Sequence, residues 1–318
     1  MSDAETVPIY EQRRFVLLTL DPIHIGTGGF RLGRVDMPVA REPGTNLPKI
    51  PGTTLAGAAR SYAAMQYGKL EAAGQHKKLK EEDKRGCPIV YTFGTTRSSG
   101  GQAGRVSIFD SRLLLFPVRS IAGPVWASTA ELLEEAGFSV SQRPPGDERP
   151  TATFPWDRSI NLSWLLFERP VLTTISNGNL AGQPSFAAVK DRVVVLTPRM
   201  FEQVVNSNLE VRTSVSIDSE TGAAKEGALF TYEAIPRGAW LWCDVIEDDY
   251  KPDFPVTNNR HNGGGPMGVT WSRPLDVVSS GLQLMEYMGV GGMGTRGFGR
   301  LRVVHTWAQG VQHECARS

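Results

Sequence analysis

Apolar residues fall in short runs separated by long polar, glycine- and proline-bearing stretches, and their period changes along the chain. RRFVLLTL (Arg13 to Leu20) is a compact apolar block stopped by Asp21-Pro22, which predicts a buried strand. Residues 21 to 52 carry little periodicity and read as a long loop of the functional kind. PGTTLAGAARSYAAMQYG then predicts a helix, with Thr53 or Thr54 able to cap it and Leu55, Ala58, Ala59 and Tyr62 on one face. Lys69 to Arg85 reads as a mixed-charge, solvated helix. Arg105 to Val118 is the longest strand signal, Ala127 to Gly137 a short helix ended by glycine, and Gln142 to Pro150 a loop. Asp191 to Thr197 predicts a strand, followed by a helix with Pro198 in its first turn. Val211 to Glu233 alternates, turns and alternates again, as a hairpin does. Ala239 to Glu247 is a buried strand, Asn258 to Pro266 a loop, Arg273 to Met288 a helix, and LRVVHTW a last strand. Without its insertions the order is strand, helix, strand early and strand, helix, strand late. That is an α+β class, with the ferredoxin-like split βαβ order found in many RNA-recognition domains.

Composition narrows the function classes. There are 34 Lys and Arg against 33 Asp and Glu, so no global field draws in nucleic acid, and any such binding must come from local clusters. One cluster exists: from Arg31 to Arg60 stand five cations and two acids, Asp36 and Glu42. The three cysteines (Cys87, Cys243, Cys315) fit no zinc or disulfide spacing, which suits a reducing cytoplasm. No secretory leader and no membrane span is expected.

Candidate chemistry is sparse. The histidines (His24, His76, His261, His305, His313) lack metal-ligand spacing, no GxSxG elbow occurs, and no cysteine has a nucleophile context. GVGGMGTRGFGR (Gly289 to Arg300) lacks the Lys-Ser/Thr of a P-loop, and it opens a strand where a dinucleotide fingerprint opens a helix. Its glycines still allow close backbone approach and offer N–H groups to anions; a tight helix-to-strand connection is the alternative. RGFG (Arg296 to Gly299) matches the start of the RNP1 signature, but Arg300 stands where an aromatic belongs. Asp36 is either a surface acid paired with Arg34 or Arg41, or the reactive group of a polyanion site. His24 shares its loop and reads equally well as a satisfied loop histidine.

HIGTGG, DMPVARE and LPKIPGTTLAGAAR resemble the N-terminal signature of the RAMP superfamily of type III CRISPR effectors, and GVGGMGTRGFGR looks like its C-terminal glycine-rich loop. Ile108 to Gly137 and Val211 to Gly238 are similar to the repeated backbone subunit of the type III-B (Cmr) complex. The resemblance implies one elaborated domain over 1–318, a modified RNA-recognition palm with a protruding thumb. The palm core takes about 13–67, 105–137 and 239–307, an insertion about 68–104, and the thumb about 211–232. It also implies copies assembling along a CRISPR RNA with other type III effector subunits, each thumb displacing a guide–target base pair at intervals of about six nucleotides.

By the same resemblance Asp36 cuts the target RNA, while His24 and Glu233 assist; a divalent metal, expected to be Mg²⁺ bound at Asp36, follows instead from the acidity of an exposed carboxylate, which suits it to anchor a cation. Asp36 is too acidic for an efficient general base, so internal attack by the 2′-hydroxyl is the expected route. RNA contacts are expected from Arg34, Arg41, Lys49, Thr53, Thr54, Arg60, Arg119, Gly291, Gly292, Gly294, Arg296 and Arg300. Arg212, Thr213 and Phe230 take that role on the thumb. Ala56 stands where the family carries a lysine facing the guide.

Overall fold

The N-terminal apolar block forms strand β1 (Glu11–Thr19), in which Phe15, Val16 and Leu17 are all buried, so both faces of this strand are covered. The computed structural model describes residues 10–28, 35–74, 86–95, 101–218, 220, 222–248, 254–255 and 270–309. The principal elements after β1 are α1 (Gly52–Tyr67), α2 (Pro88–Phe93), β2 (Val106–Ile108), β3 (Arg112–Ser120), β4 (Gly123–Thr129) and α3 (Ala130–Glu135). Then come β5 (Thr151–Ala152), β6 (Val171–Leu172), β7 (Val193–Leu196), α4 (Pro198–Ser207), β8 (Glu210–Ile217) and β9 (Ala224–Ala234). The last three are β10 (Trp240–Glu247), α5 (Pro274–Met288) and β11 (Leu301–Gln309).

One mixed sheet carries most strands, in the order β11-β1-β10-β3-β4-β7-β5-β6. β1 lies between β10 and β11 and is antiparallel to both, with Phe15 opposite Cys243 and Val16 opposite His305. β3 and β4 form an antiparallel hairpin, and β7 joins β4 in parallel. The period-2 alternation sorts side chains onto two faces. Phe15, Leu17, Leu241, Cys243 and Val245 pack beneath α1 and α5, against Leu55, Ala59, Leu275, Val278, Leu282 and Met285. Val16, Trp240 and Trp242 face the other way, with Ala130 and Leu133 of α3 and with Phe186. The two helices on the first face meet where glycine is required: a Cβ on Gly281 would stand 2.2 Å from the Ala59 carbonyl oxygen.

Several expectations are corrected. Neither Thr53 nor Thr54 caps α1; Pro51 is its N-cap, and the Gly52 N–H donates to Asp110 Oδ1 at 2.8 Å. The strand expected from Arg105 to Val118 is broken between β2 and β3, because Phe109–Ser111 turns to bring Asp110 to that helix end and Ser111 to a bridge with Ile50. The helix expected from Lys69 is a short 3₁₀ turn at Leu70–Ala73, and residues 75–85 lie outside the described ones. Strand β4 precedes the helix expected at Ala127, and the sheet continues through β7, β5 and β6 beyond the expected core.

The hairpin β8–β9 forms its own two-stranded sheet, registered from Glu210 opposite Ala234 to Val215 opposite Leu229. Val211, Val215, Ile217 and Leu229 stay exposed along one of its faces. Among the described residues no helix is long and apolar enough to cross a membrane.

Candidate functional site

Three loops meet on the root of the hairpin. Ile23 and Ile235 exchange backbone hydrogen bonds of 2.9 Å, which sets His24 beside β9. Met37 forms a parallel bridge to Tyr232: its N–H donates to the Thr231 carbonyl at 3.1 Å, and the Glu233 N–H donates to the Met37 carbonyl at 3.0 Å. The glycine run closes the stack, with the Gly292 N–H donating to the His24 carbonyl at 2.9 Å. Asp36 and His24, from one loop, therefore both attach to the distant segment Thr231–Glu233, which carries the third acid–base candidate, Glu233.

Asp36 is half-buried, and Thr231 holds it three ways. The Thr231 N–H donates to Asp36 Oδ2 at 2.7 Å and its hydroxyl donates to the same oxygen at 2.9 Å. That hydroxyl also accepts from the Asp36 N–H at 3.1 Å. Among the described residues no donor reaches Oδ1. The Thr231 N–H first, then its hydroxyl, hold the Asp36 carboxyl below its ordinary value, so it is ionised at neutral pH. The alternative pairing with Arg41 is not formed; Arg34 lies outside the described residues.

Arg41 belongs to Glu233. Its Nη2 donates to Glu233 Oε2 at 3.0 Å, its Nε to Asn206 Oδ1 at 3.2 Å, and its Nη1 to the Val39 carbonyl at 3.2 Å. The Glu233 side chain is 9% exposed and also accepts from the Val39 N–H. His24 is buried, and its Nδ1 lies 2.6 Å from the Glu233 carbonyl. A carbonyl only accepts, so Nδ1 carries the proton, which leaves Nε2 as the acceptor whenever the ring is neutral. The ring meets Tyr232 edge-on at 5.9 Å.

The remaining expected RNA-binding residues divide into paired and open groups. Lys49 Nζ donates to Asp110 at 2.5 Å, and Arg300 forms a two-pronged pair with Asp21 at 2.5 and 3.2 Å. Arg60 ties α1 to two later segments, donating to the Ala72 and Gly94 carbonyls at 2.7 and 2.9 Å, and burial lowers its pKa. Arg119 is exposed on β3. Thr53, Thr54, Gly291 and Gly294 line one open groove of about 340 Å³ with Ala58, Tyr62 and Val290. Gly292, bonded to His24, sits beside it in the chain. Ala56 is partly exposed on α1 and adds no charge.

On the hairpin, Thr213 stands opposite Thr231, and an aromatic cluster of Phe230, Tyr232 and Phe298 packs with Met37 and Met293. Arg212 lies over Phe298 at 4.5 Å and Arg296 over Phe230 at 5.5 Å, placing two exposed cations on aromatic faces. Sequence reasoning missed Thr231, Tyr232, Phe298 and Asp110. Thr231 gave no local signal, since its partner is 195 residues away.

Among the described residues no group of three or more His, Cys, Asp or Glu could hold a metal. What Asp36 offers is a single carboxylate oxygen, which suits Mg²⁺ only in its usual manner of keeping waters and taking substrate phosphates as further ligands.

The model of the RAMP superfamily matches residues 16–302. The CRISPR system Cmr endoribonuclease Cmr4 of Pyrococcus furiosus is 29% identical over 250 residues, covering 72% of this chain and 79% of the relative. The Cms endoribonuclease Csm3 of Enterococcus italicus is 33% identical over 94 residues, 29% of this chain and 41% of that relative. Among solved structures, a chain of the type III-B Cmr-β complex bound to cognate target RNA superposes with a TM-score of 0.62 at 18% identity, covering 93% of this chain and 98% of its own. Oligomeric Cmr4 from Pyrococcus furiosus superposes with a TM-score of 0.57 at 17% identity, covering 95% and 99%. With sheet, hairpin and glycine run in order and the family's model spanning most of the length, the chain belongs to the RAMP superfamily.

Proposed function

We propose that this chain is a guide-binding backbone subunit of a type III-B CRISPR effector that cleaves complementary target RNA within the assembled complex. Its partners are CRISPR RNA, target RNA, further copies of itself and other type III effector subunits, in the cytoplasm. The strand order β11-β1-β10-β3, with α1 and α5 on one face, supports a ferredoxin-like palm, and the separate hairpin β8–β9 supports a thumb.

One observation carries the cleavage reading: a carboxylate with one oxygen held and one open sits at the hairpin root, where the loops beside the α1 groove converge. The thumb unstacks a nucleotide of the target, which frees its 2′-hydroxyl to line up with the adjacent phosphate. Asp36, ionised, orients the reacting groups through Oδ1 and is too weak a base to take the proton efficiently. His24, its Nδ1 proton held on the Glu233 carbonyl, leaves Nε2 as the ring atom that accepts a proton when the imidazole is neutral. A divalent cation bound at Asp36 would supply charge neutralisation at the phosphate. Internal attack leaves a 2′,3′-cyclic phosphate and a 5′-hydroxyl.

A second reading, a guide-binding scaffold that does not cut, is favoured by the bonds that give Asp36 a structural task on β9. The guide-loaded assembly with Mg²⁺, wild type against Asp36→Asn, separates them. A regular ladder from the wild type, and a mutant that binds target and leaves it whole, supports cleavage. Equal cutting by both makes the chain a scaffold, and products ending in 3′-hydroxyl and 5′-phosphate overturn internal attack.

A further inference from the structure

We infer that Thr231 is the positioning residue of the cleavage site, clamping Asp36 Oδ2 to the hairpin so that Oδ1 is presented in one orientation; this rests on the proposal that Asp36 takes part in cleavage. A carboxylate turns easily about its terminal torsion, whose wells are broad. Here that rotation is stopped by two donors on one oxygen, the Thr231 N–H at 2.7 Å and the Thr231 hydroxyl at 2.9 Å. The hydroxyl works twice, since it also accepts the Asp36 N–H at 3.1 Å and so links the backbone of Asp36 to its own side chain through one atom.

The loop does not depend on that hydroxyl for its place. Met37 is bonded on either side, its N–H to the Thr231 carbonyl and its carbonyl to the Glu233 N–H. Removing the hydroxyl leaves the loop docked and loosens the carboxylate. Because Thr231 belongs to the hairpin strand, the element that displaces the nucleotide also carries the clamp of the acid, so the two are held in one frame.

The test uses the guide-loaded assembly carrying Thr231→Val, Thr231→Ala, Thr231→Ser or Asp36→Asn, read by single-turnover cleavage at saturating target, by target Kd and by thermal melting. Thr231→Val and Thr231→Ala are expected to slow cleavage about ten- to a hundredfold with target Kd held to about twofold, as loss of a charge-assisted hydrogen bond at a reacting group implies. Thr231→Ser restores most of the rate. Wild-type cleavage by the Val and Ala variants, a Ser variant as slow as they are, or a loss that tracks target binding or melting would each overturn the inference. If Asp36→Asn cuts like wild type, the parent proposal fails whatever Thr231 does. If Asp36→Asn is inert while Thr231→Val is fast, only the role of Thr231 fails.

Discussion

Alanine at Gly291 is expected to damage the joint between the glycine run and the His24 loop. Gly291 has φ 86°, and a Cβ there would stand 2.4 Å from Ile25 Cδ1 and 2.6 Å from the His24 carbonyl oxygen. The Ile25 methyl can swing aside. The carbonyl cannot, because it accepts the Gly292 N–H at 2.9 Å. The left-handed backbone costs alanine about 1–2 kcal/mol and the forced contact about 1–3, so roughly 2–5 kcal/mol together. At about 2 °C per kcal/mol for a chain of this size, the isolated subunit should melt roughly 4–10 °C lower. Gly294→Ala is the control, since nothing lies within 4 Å of a Cβ there. It should stay within about 0.5 kcal/mol of wild type. Equal melting of Gly291→Ala and wild type, or equal damage from both substitutions, would refute the packing argument for the glycine run.

Arg41→Met leaves the Glu233 carboxylate buried without its cation and should cost about 2–4 kcal/mol in denaturant unfolding, part of which the double variant with Glu233→Gln regains. Strict additivity of the two changes would sink that pairing. The hydrogen bonds from Arg300, outweighing the opposing effect of burial, hold Asp21 below its ordinary pKa. Its stabilising contribution is therefore complete above the ordinary carboxylate value near pH 4 and is lost as pH falls through the depressed one. Asp21→Asn should lose less stability than wild type on acidification below about pH 4, and parallel acid limbs would contradict the shift.

Elements with a strong period were legible in the sequence. β1, β10 and β11 are apolar blocks of strand length, and α4 and α5 each open with a proline at N1 or N2. β4 was not, because Pro124 near its start and the mixture of Ser, Thr and Ala after it give no alternation. The sheet's extension through β5 and β6 rests on two-residue strands, too short for any period to show. At the site, motif resemblance picked out Asp36, and loop membership His24. Their bonds to Thr231 and Glu233 join segments about two hundred residues apart, which no local pattern encodes. The cations illustrate the same limit. Arg41, Lys49 and Arg60 read as one basic cluster, and each turned out to serve a different internal acceptor.

The place of β1 has a consequence for synthesis. It is made long before both its neighbours, β10 and β11, which lie far downstream of it. At ordinary rates of translation, on the order of 5–20 residues per second, Phe15 and Leu17 wait for tens of seconds before the strands that cover them exist. During that interval an apolar strand with two unpaired edges is open to the wrong partners. The hairpin root cannot close sooner either, because Gly292 must have been made before His24 is pinned. A ribosome-bound fragment ending before β10 therefore carries Asp36 without its complete setting, which exists only once Gly292 has been made.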